Sequence, residues 1–193
     1  QRGQSLGGQT RVEPGQNVDS LDIQLRRPRY STRLGGLLYT FDGRDDFINP
    51  NRGSRHTVLA PHAGGLFGGD NNFEKLSLAG SAYSRAGRRT VVAVRGALAG
   101  VNPLRESNLG DGLRPVDGVP VEDRLYAGGS ASIRGYQENS INGVERGRDP
   151  NGGGLVSLVV NAELRFGLLG PLGGVLFLDG GNVWVNRRGV QIS

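Results

Sequence analysis

Residues 154–166, GLVSLVVNAELRF, constrain the fold more than any other stretch, because their apolar and polar side chains alternate. On an extended chain, one face would carry Val156, Leu158, Val160, Ala162, Leu164 and Phe166. The other face would carry Ser157, Asn161, Glu163 and Arg165. Successive side chains of a strand point to opposite faces, whereas a helix would distribute these charges around its circumference. The segment is therefore predicted to be a β-strand with one apolar and one charged face.

The same two-residue period recurs along the chain. It places Arg89 and Arg95 on one face of 89–101, and Phe177 and Asp179 on one face of 175–184. Further candidate strands are 21–27, 32–41, 54–65, 73–83 and about 123–128. Clusters of Gly, Asn, Asp and Pro separate these segments and indicate turns. No segment predicts a helix, so the fold class is predicted to be all-β.

Composition narrows the class further. The 34 glycines show no three-residue period, which excludes collagen, and the ordered apolar alternation argues against wholesale disorder. The absence of Cys excludes a disulfide scaffold, a Cys-based zinc site and a thiol nucleophile. No apolar run of about 18 residues is present, so no spanning helix is predicted, although barrel strands are too short to show one. The chain contains no Met and opens on QRGQSLGG, and we expect it to be a segment of a longer polypeptide.

The net charge of +5 comes almost entirely from arginines that are scattered along the chain. Aromatic residues are not interleaved with them as a base-stacking platform requires, so no nucleic-acid partner is expected. His56 and His62 share a strand face but lie too far apart for two ligands of one metal. No Ser-His-Asp arrangement or nucleotide-binding glycine loop is apparent. We therefore expect no metal, no cofactor and no enzymatic activity.

Two architectures accommodate strands of this kind, a soluble sandwich and a transmembrane barrel. Aromatic residues fall near the predicted strand ends, as in the interfacial girdles of barrels: Tyr39, Phe41, Tyr83, Phe166 and Trp184. The turns SRAGR and LLGPLGG are short, whereas 102–122 and 137–153 are long and polar. Short turns at one end and long loops at the other are typical of outer-membrane proteins. The pattern therefore favours an antiparallel transmembrane β-barrel.

Several motifs then resemble one family, the BamA/TamA-type outer-membrane assembly factor superfamily of bacterial surface antigen barrels. RLYAGGSASIRGY (124–136) resembles its loop motif, and FLDGG (177–181) resembles its F-x-D-x-G strand signature. YTFDGRDDFINPNRG (39–53) is similar to its D-x-R-D…P-x-x-G turn. GDNNFEKLSL, NLGDGL and the ELRF strand follow in the family's order. The resemblance covers most of 21–184.

For the fold, the resemblance implies a barrel of sixteen antiparallel strands preceded by POTRA domains. Residues 1–193 would then be part of one barrel domain, with about 7–8 strands and long polar loops at about 102–122 and 124–153. The POTRA domains and the terminal strands are expected to be absent. The implied location is the bacterial outer membrane.

For the site, the resemblance implies that the loop motif, Ile133, Arg134, Gly135 and Tyr136, folds back into the barrel. Arg134 would contact the acidic side chains of Asp179 and Glu163, and the alternation independently places both acids on the polar strand face. Further residues are expected to support the motif: Phe177, Gly181, Gly128 and Gly129. The two glycines of the AGG segment would give a compact turn, and Tyr136 would pack against the wall.

For function, the resemblance implies a factor that inserts and folds β-barrel proteins into the outer membrane. Its partners would be unfolded outer-membrane proteins, outer-membrane lipid and accessory lipoproteins. Two alternatives remain open at this point. A two-partner-secretion translocator would share the barrel but export one polypeptide, and a passive porin-like barrel would not need the Arg134–Asp179–Glu163 set.

Overall fold

The computed structural model describes residues 31–104, 118–143, 152–169 and 172–185, and its strands form one antiparallel sheet. The six strands are β1 (Leu34–Asp42), β2 (Gly53–Ala63), β3 (Phe73–Gly87), β4 (Thr90–Pro103), β5 (Val156–Gly167) and β6 (Gly173–Trp184). Each strand pairs with the next in chain order, so the sheet is a meander. One irregularity interrupts the β3–β4 register, between Arg85 and Gly87. The all-β, antiparallel class predicted from the sequence is confirmed.

The register assigns every side chain to one of two faces. Asn161 in β5 lies opposite Arg95 in β4 and Asp179 in β6, so these three share a face, called here the inner face. The outer face carries exposed apolar side chains on five of the six strands: Leu37, Tyr39, Phe41, Leu76, Leu78, Val92, Val94, Leu98, Val160, Leu164, Leu176 and Leu178. An exposed apolar band of this width is the lipid-facing surface of a barrel wall. The sheet is therefore part of a transmembrane barrel.

Buried apolar residues lie on the inner face, where the segment 118–143 packs against the wall. One cluster comprises Ala63, Phe73, Val101, Val119, Leu125 and Leu155, and a second comprises Ala127, Ile133, Val159 and Val183. Both clusters combine strand residues with residues of the long connection between β4 and β5. The connection is therefore held inside the barrel by burial of apolar side chains as well as by polar contacts.

Two of the predicted strands have no counterpart among the six strands that the structure describes. The candidate strand 123–128 is wrong: a 3-10 turn at Val121–Asp123 is followed by single bridges from Leu125 to Gly154 and from Ala127 to Ile141. Alternate residues do point at the wall, which explains the pattern, but Gly128 and Gly129 take positive φ and end the extended run. The expected loops 102–122 and 124–153 consequently belong to one connection, which begins after Pro103. The candidate 21–27 lies outside the described residues.

The two ends of the sheet differ in their connections. One end, called here the short-turn end, carries the turns 43–52, 88–89 and 168–172, and the other carries 64–72 and the long 104–155 connection. Tyr83 does not belong to an outer girdle: it lies opposite Ala93 on the inner face, with its ring 5.6 Å from the Arg165 guanidinium. No helix within the described ranges is long and apolar enough to cross a membrane.

Candidate functional site

The loop that carries the IRGY motif is a closed turn held by its own backbone. Ala127 and Ile141 exchange both N–H···O bonds, at 2.9 and 3.0 Å, and the Gly129 N–H donates to the Tyr136 carbonyl at 3.0 Å. Gly128 and Gly129 have φ of 104° and 94°, which L side chains rarely adopt. A side chain at Gly128 would also collide with the backbone carbonyl of residue 137. Residues 127–129 therefore form a tight turn whose backbone conformation favours glycine at both positions.

Arg134 projects from this loop onto β6 and chelates Asp179. Its Nε donates to Asp179 Oδ2 and its Nη2 donates to Oδ1, both at 2.7 Å, while its backbone N–H donates to Oδ2 at 3.0 Å. The Asp179 side chain is only 3% exposed. Because a guanidinium presents its donors in a planar fork, it matches the two carboxylate oxygens in a way that lysine would not.

The other side of the same guanidinium contacts Glu163 in β5 and the Phe177 ring in β6. Nη1 of Arg134 donates to Glu163 Oε1 at 2.7 Å, and Glu163 Oε2 accepts from Arg165 Nε and Nη2 at 2.9 and 2.7 Å. The Arg134 Cζ lies 3.9 Å from the centroid of the Phe177 ring. The Phe177 ring thus stacks against the guanidinium, which is a favourable contact for a partly desolvated cation.

Asn161 is the central residue that the sequence prediction missed. Its Nδ2 donates to the Ser132 carbonyl at 2.6 Å and to Asp179 Oδ1 at 2.9 Å, and its Oδ1 accepts from Arg95 Nη1 at 3.3 Å. Arg95 Nη1 also donates to the Ala131 carbonyl at 2.7 Å. The signal for both residues was present in the alternation, which places them on the charged faces of their strands beside Asp179 and Glu163.

Apolar contact completes the attachment. Ile133 is 4% exposed and packs in the cluster with Ala127, Val159 and Val183. Gly181 makes room for it: a Cβ at this position would lie 3.0 Å from Ile133 Cδ1 and would collide with the Leu158 carbonyl. Gly181, the second glycine of the FLDGG signature, therefore allows β5 and Ile133 to approach the backbone of β6 closely and does not form a turn.

The remaining motif residues are placed differently. Gly135 has φ of 89°, and no atom lies within 4 Å of where its Cβ would be, so glycine is used here for conformation rather than for space. The Tyr136 side chain is 59% exposed instead of packing against the wall. Its contribution to the loop is the backbone carbonyl that accepts from Gly129.

The charges of this site suit attachment and not proton transfer. Two arginines, Arg134 and Arg165, bind the two carboxylates Glu163 and Asp179 through charge-assisted bonds, while Arg95 binds the Ala131 carbonyl and Asn161 beside them. The hydrogen bonds from Arg134 to Asp179 raise the pKa of the guanidinium above its ordinary value, so it stays charged. Within the described part of the chain, no three His, Cys, Asp or Glu residues are grouped to hold a metal.

Known proteins resemble this chain both in sequence and in structure. The chain is 32% identical over 131 residues to the outer membrane protein assembly factor BamA of Nitratidesulfovibrio vulgaris, a match that covers 68% of this chain and 15% of that protein. The crystal structure of BamA from Haemophilus ducreyi lacking POTRA domains 1–3 superposes with a TM-score of 0.62 at 21% identity. That match covers 76% of this chain and 29% of the solved one, and it shows a shared fold.

The chain thus spans a small part of the length of each relative, and it is the barrel portion that matches. The model of the Omp85 superfamily domain matches residues 6–192, which is nearly the whole chain. The resemblance drawn from the IRGY and FLDGG motifs is confirmed, and the chain belongs to the Omp85 superfamily.

Proposed function

We propose that this chain is the barrel portion of an outer-membrane assembly factor that inserts and folds other β-barrel proteins. One observation carries the proposal. Four N–H groups of the loop residue Arg134 donate hydrogen bonds to two wall carboxylates, Asp179 and Glu163. In the passive porin-like alternative, function would not require this particular set of contacts. The name of the Nitratidesulfovibrio relative, an assembly factor, supports the same direction.

The role of the site is positional. The contact joins the long connection to β5 and β6 at once, so it holds the loop on the inner face and fixes the wall strands relative to it. A partly buried, multiply hydrogen-bonded ion pair of this kind contributes about 1–3 kcal/mol, and an unpaired carboxylate left in its place would cost about as much. We place the protein in the bacterial outer membrane, with unfolded barrel proteins, the surrounding lipid and accessory lipoproteins as its partners.

The test uses the full-length protein in its native organism. Arg134→Ala and, in parallel, Asp179→Ala replace the two ends of the contact, and mass spectrometry quantifies every other outer-membrane barrel protein. We expect a broad fall across unrelated barrels, because the assembly barrel loses its fixed loop. Arg33→Ala, which removes an exposed arginine far from the site, is the matched control and should leave the barrel proteins unchanged.

Two other results would replace the proposal. Loss of one secreted protein, with other barrels unchanged, would identify a dedicated two-partner-secretion translocator. If neither the barrel proteins nor any secreted protein changed in abundance, with the variants present at normal levels, the result would identify a passive barrel in which the loop contact is not needed.

A further inference from the structure

The short-turn end carries a second cluster of arginines, of which only Arg165 also takes part in the loop site. A cleft of about 410 Å³ opens there between the three turns 43–52, 88–89 and 168–172. Its polar lining comes mainly from Asn49, Asn51, Arg85, Arg88, Arg89 and Arg165. No acidic residue lines it within the described part of the chain, so the cleft is strongly basic.

The nearby carboxylates are already occupied. Asp45 Oδ1 accepts the backbone N–H groups of Asn51 and Arg52 at 2.8 and 3.0 Å. One carboxylate oxygen of Glu163 accepts a hydrogen bond from Arg134, and the other accepts from Arg165. Arg88 and Arg89 are exposed and form no ion pair with any described residue. The cleft therefore carries a net positive charge, which favours the binding of an anionic partner.

The cleft opens at the edge of the sheet, at the mouth of the barrel. Arg85, Val91, Arg165 and Val175 lie opposite one another across β3 to β6 and share the inner face with Glu163, whereas Thr90, Phe166 and Gly174 line the cleft from the outer face. The neighbouring row of the outer face runs through Ser84, Val92, Leu164 and Leu176 and carries no charge. Two of the four arginines thus face the barrel interior, which favours a partner at the barrel mouth over a lipid headgroup.

Exposed apolar residues lie on two of the turns that border the cleft. Phe47 and Ile48, at the tip of the 43–52 turn, are 78% and 95% exposed, and Leu169 on the 168–172 turn is 80% exposed. The tip is held in place: Asp46 Oδ1 accepts the N–H of Ile48 at 2.7 Å, and the Arg44 guanidinium lies 5.0 Å from the Phe47 ring centroid. A free phosphate would engage the arginines alone and leave these side chains in water.

We propose that this mouth cleft, with the Phe47-Ile48 tip, binds an acidic polypeptide segment that also bears apolar side chains. The segment would place its carboxylates on Arg88 and Arg89 and an apolar side chain on the tip. Identifying that segment with an unfolded client rests on the function proposed above. The binding itself does not, and it is measured separately from barrel assembly in the cell.

The test uses the full-length protein in nanodiscs of neutral lipid and fluorescence anisotropy with a labelled twelve-residue peptide of alternating acidic and apolar residues. A peptide with Lys at every acidic position is the matched probe. We expect Arg88→Glu and Arg89→Glu each to weaken binding of the acidic peptide about tenfold, because reversing one charge replaces attraction by repulsion. Arg33→Glu makes the same change in charge at the opposite end of the sheet and should bind like wild type.

Two further variants separate the two halves of the cleft. Arg89→Lys keeps the charge and should bind within about twofold of wild type, since the cleft is open and no fixed fork is required. The double variant Phe47→Ser, Ile48→Ser should weaken binding about fivefold without changing its dependence on salt. Circular dichroism verifies that each variant retains its barrel.

Three results would overturn the proposal. The first is equal affinity for the acidic and the basic peptide. The second is that Arg88→Glu and Arg89→Glu bind like Arg33→Glu. The third is complete displacement of the peptide by inorganic phosphate or by phosphatidylglycerol vesicles, which would assign a simple anion site or a lipid site.

Discussion

Two arginine–aspartate forks hold irregular segments in this barrel wall, and they differ mainly in how far apart their members lie in the chain. Arg44 chelates Asp42, two residues away, through Nε and Nη2 at 2.8 and 2.6 Å. Arg134 chelates Asp179, 45 residues away, through the same two nitrogens at 2.7 Å. The local acid is 18% exposed and the distant one is 3% exposed.

The difference shows what each fork can do. The 43–52 turn is self-contained, because Asp45 and Asp46 accept four of its own backbone N–H groups and the fork only adds to them. The IRGY loop also has local backbone bonds, but the Arg134 N–H and guanidinium donate to wall residues of β5 and β6. A local fork shapes a turn, whereas a distant one transmits the position of a loop to the barrel wall.

Removal of the distant acid should have the largest effect. Asp179→Ala leaves Arg134 without its fork and Asn161 without one of its acceptors, at a cost of about 3–5 kcal/mol to loop attachment. Hydrogen exchange of 128–136 in the full-length protein should rise sharply. Asp42→Ala, the matched change in the local fork, should leave exchange in 128–136 unchanged; equal effects of the two variants would show that the forks are not independent.

Removal of the Asn161 amide, which the sequence prediction missed, should have the second largest effect on loop attachment. Asn161→Ala breaks the contacts with Ser132, Asp179 and Arg95, and it should weaken loop attachment by about 1–3 kcal/mol. The same exchange measurement reports it. Ser157→Ala, on the same face of the same strand, is the control. If Asn161→Ala exchanged like this control, the amide would be a bystander to the Arg134 fork.

Two glycine substitutions separate space from conformation. Gly181→Ala forces a Cβ against the Leu158 carbonyl and Ile133, and overpacking of this kind costs about 1–3 kcal/mol. Gly135→Ala meets no atom, so only the strain of its positive φ remains, about 1–2 kcal/mol. Exchange at Ile133 should therefore rise more in Gly181→Ala. The reverse order would mean that the loop bends away from the wall at little cost.

The smallest effect concerns pH at the local turn. Backbone hydrogen bonds lower the pKa of Asp45 and of Asp46 below the ordinary value. A carboxyl whose folded pKa is depressed contributes stability above its unfolded pKa, and that contribution is lost as pH falls through the folded value. Exchange in 48–52, corrected for the intrinsic rate, should stay slow through the ordinary aspartate range and rise only below it. In Asp45→Asn this dependence on pH should be reduced.

Much of the fold follows from the sequence. The period of two located β1 to β6 to within a few residues, because each strand has one lipid-facing and one inner face and the alternation records both. The segment 123–128 shows where this reasoning fails. Its alternation is real, but it reflects a loop buried against the wall, and periodicity does not distinguish a ladder from two isolated bridges.

The site divides in the same way. Arg134, Asp179 and Glu163 could be predicted from the sequence, since the motif resemblance indicates all three and the strand parity indicates both acids. How they meet could not be predicted, because closing a 45-residue separation depends on the register that sets Asn161 opposite both Arg95 and Asp179. Register is a property of paired strands, so no single strand of the sequence contains it.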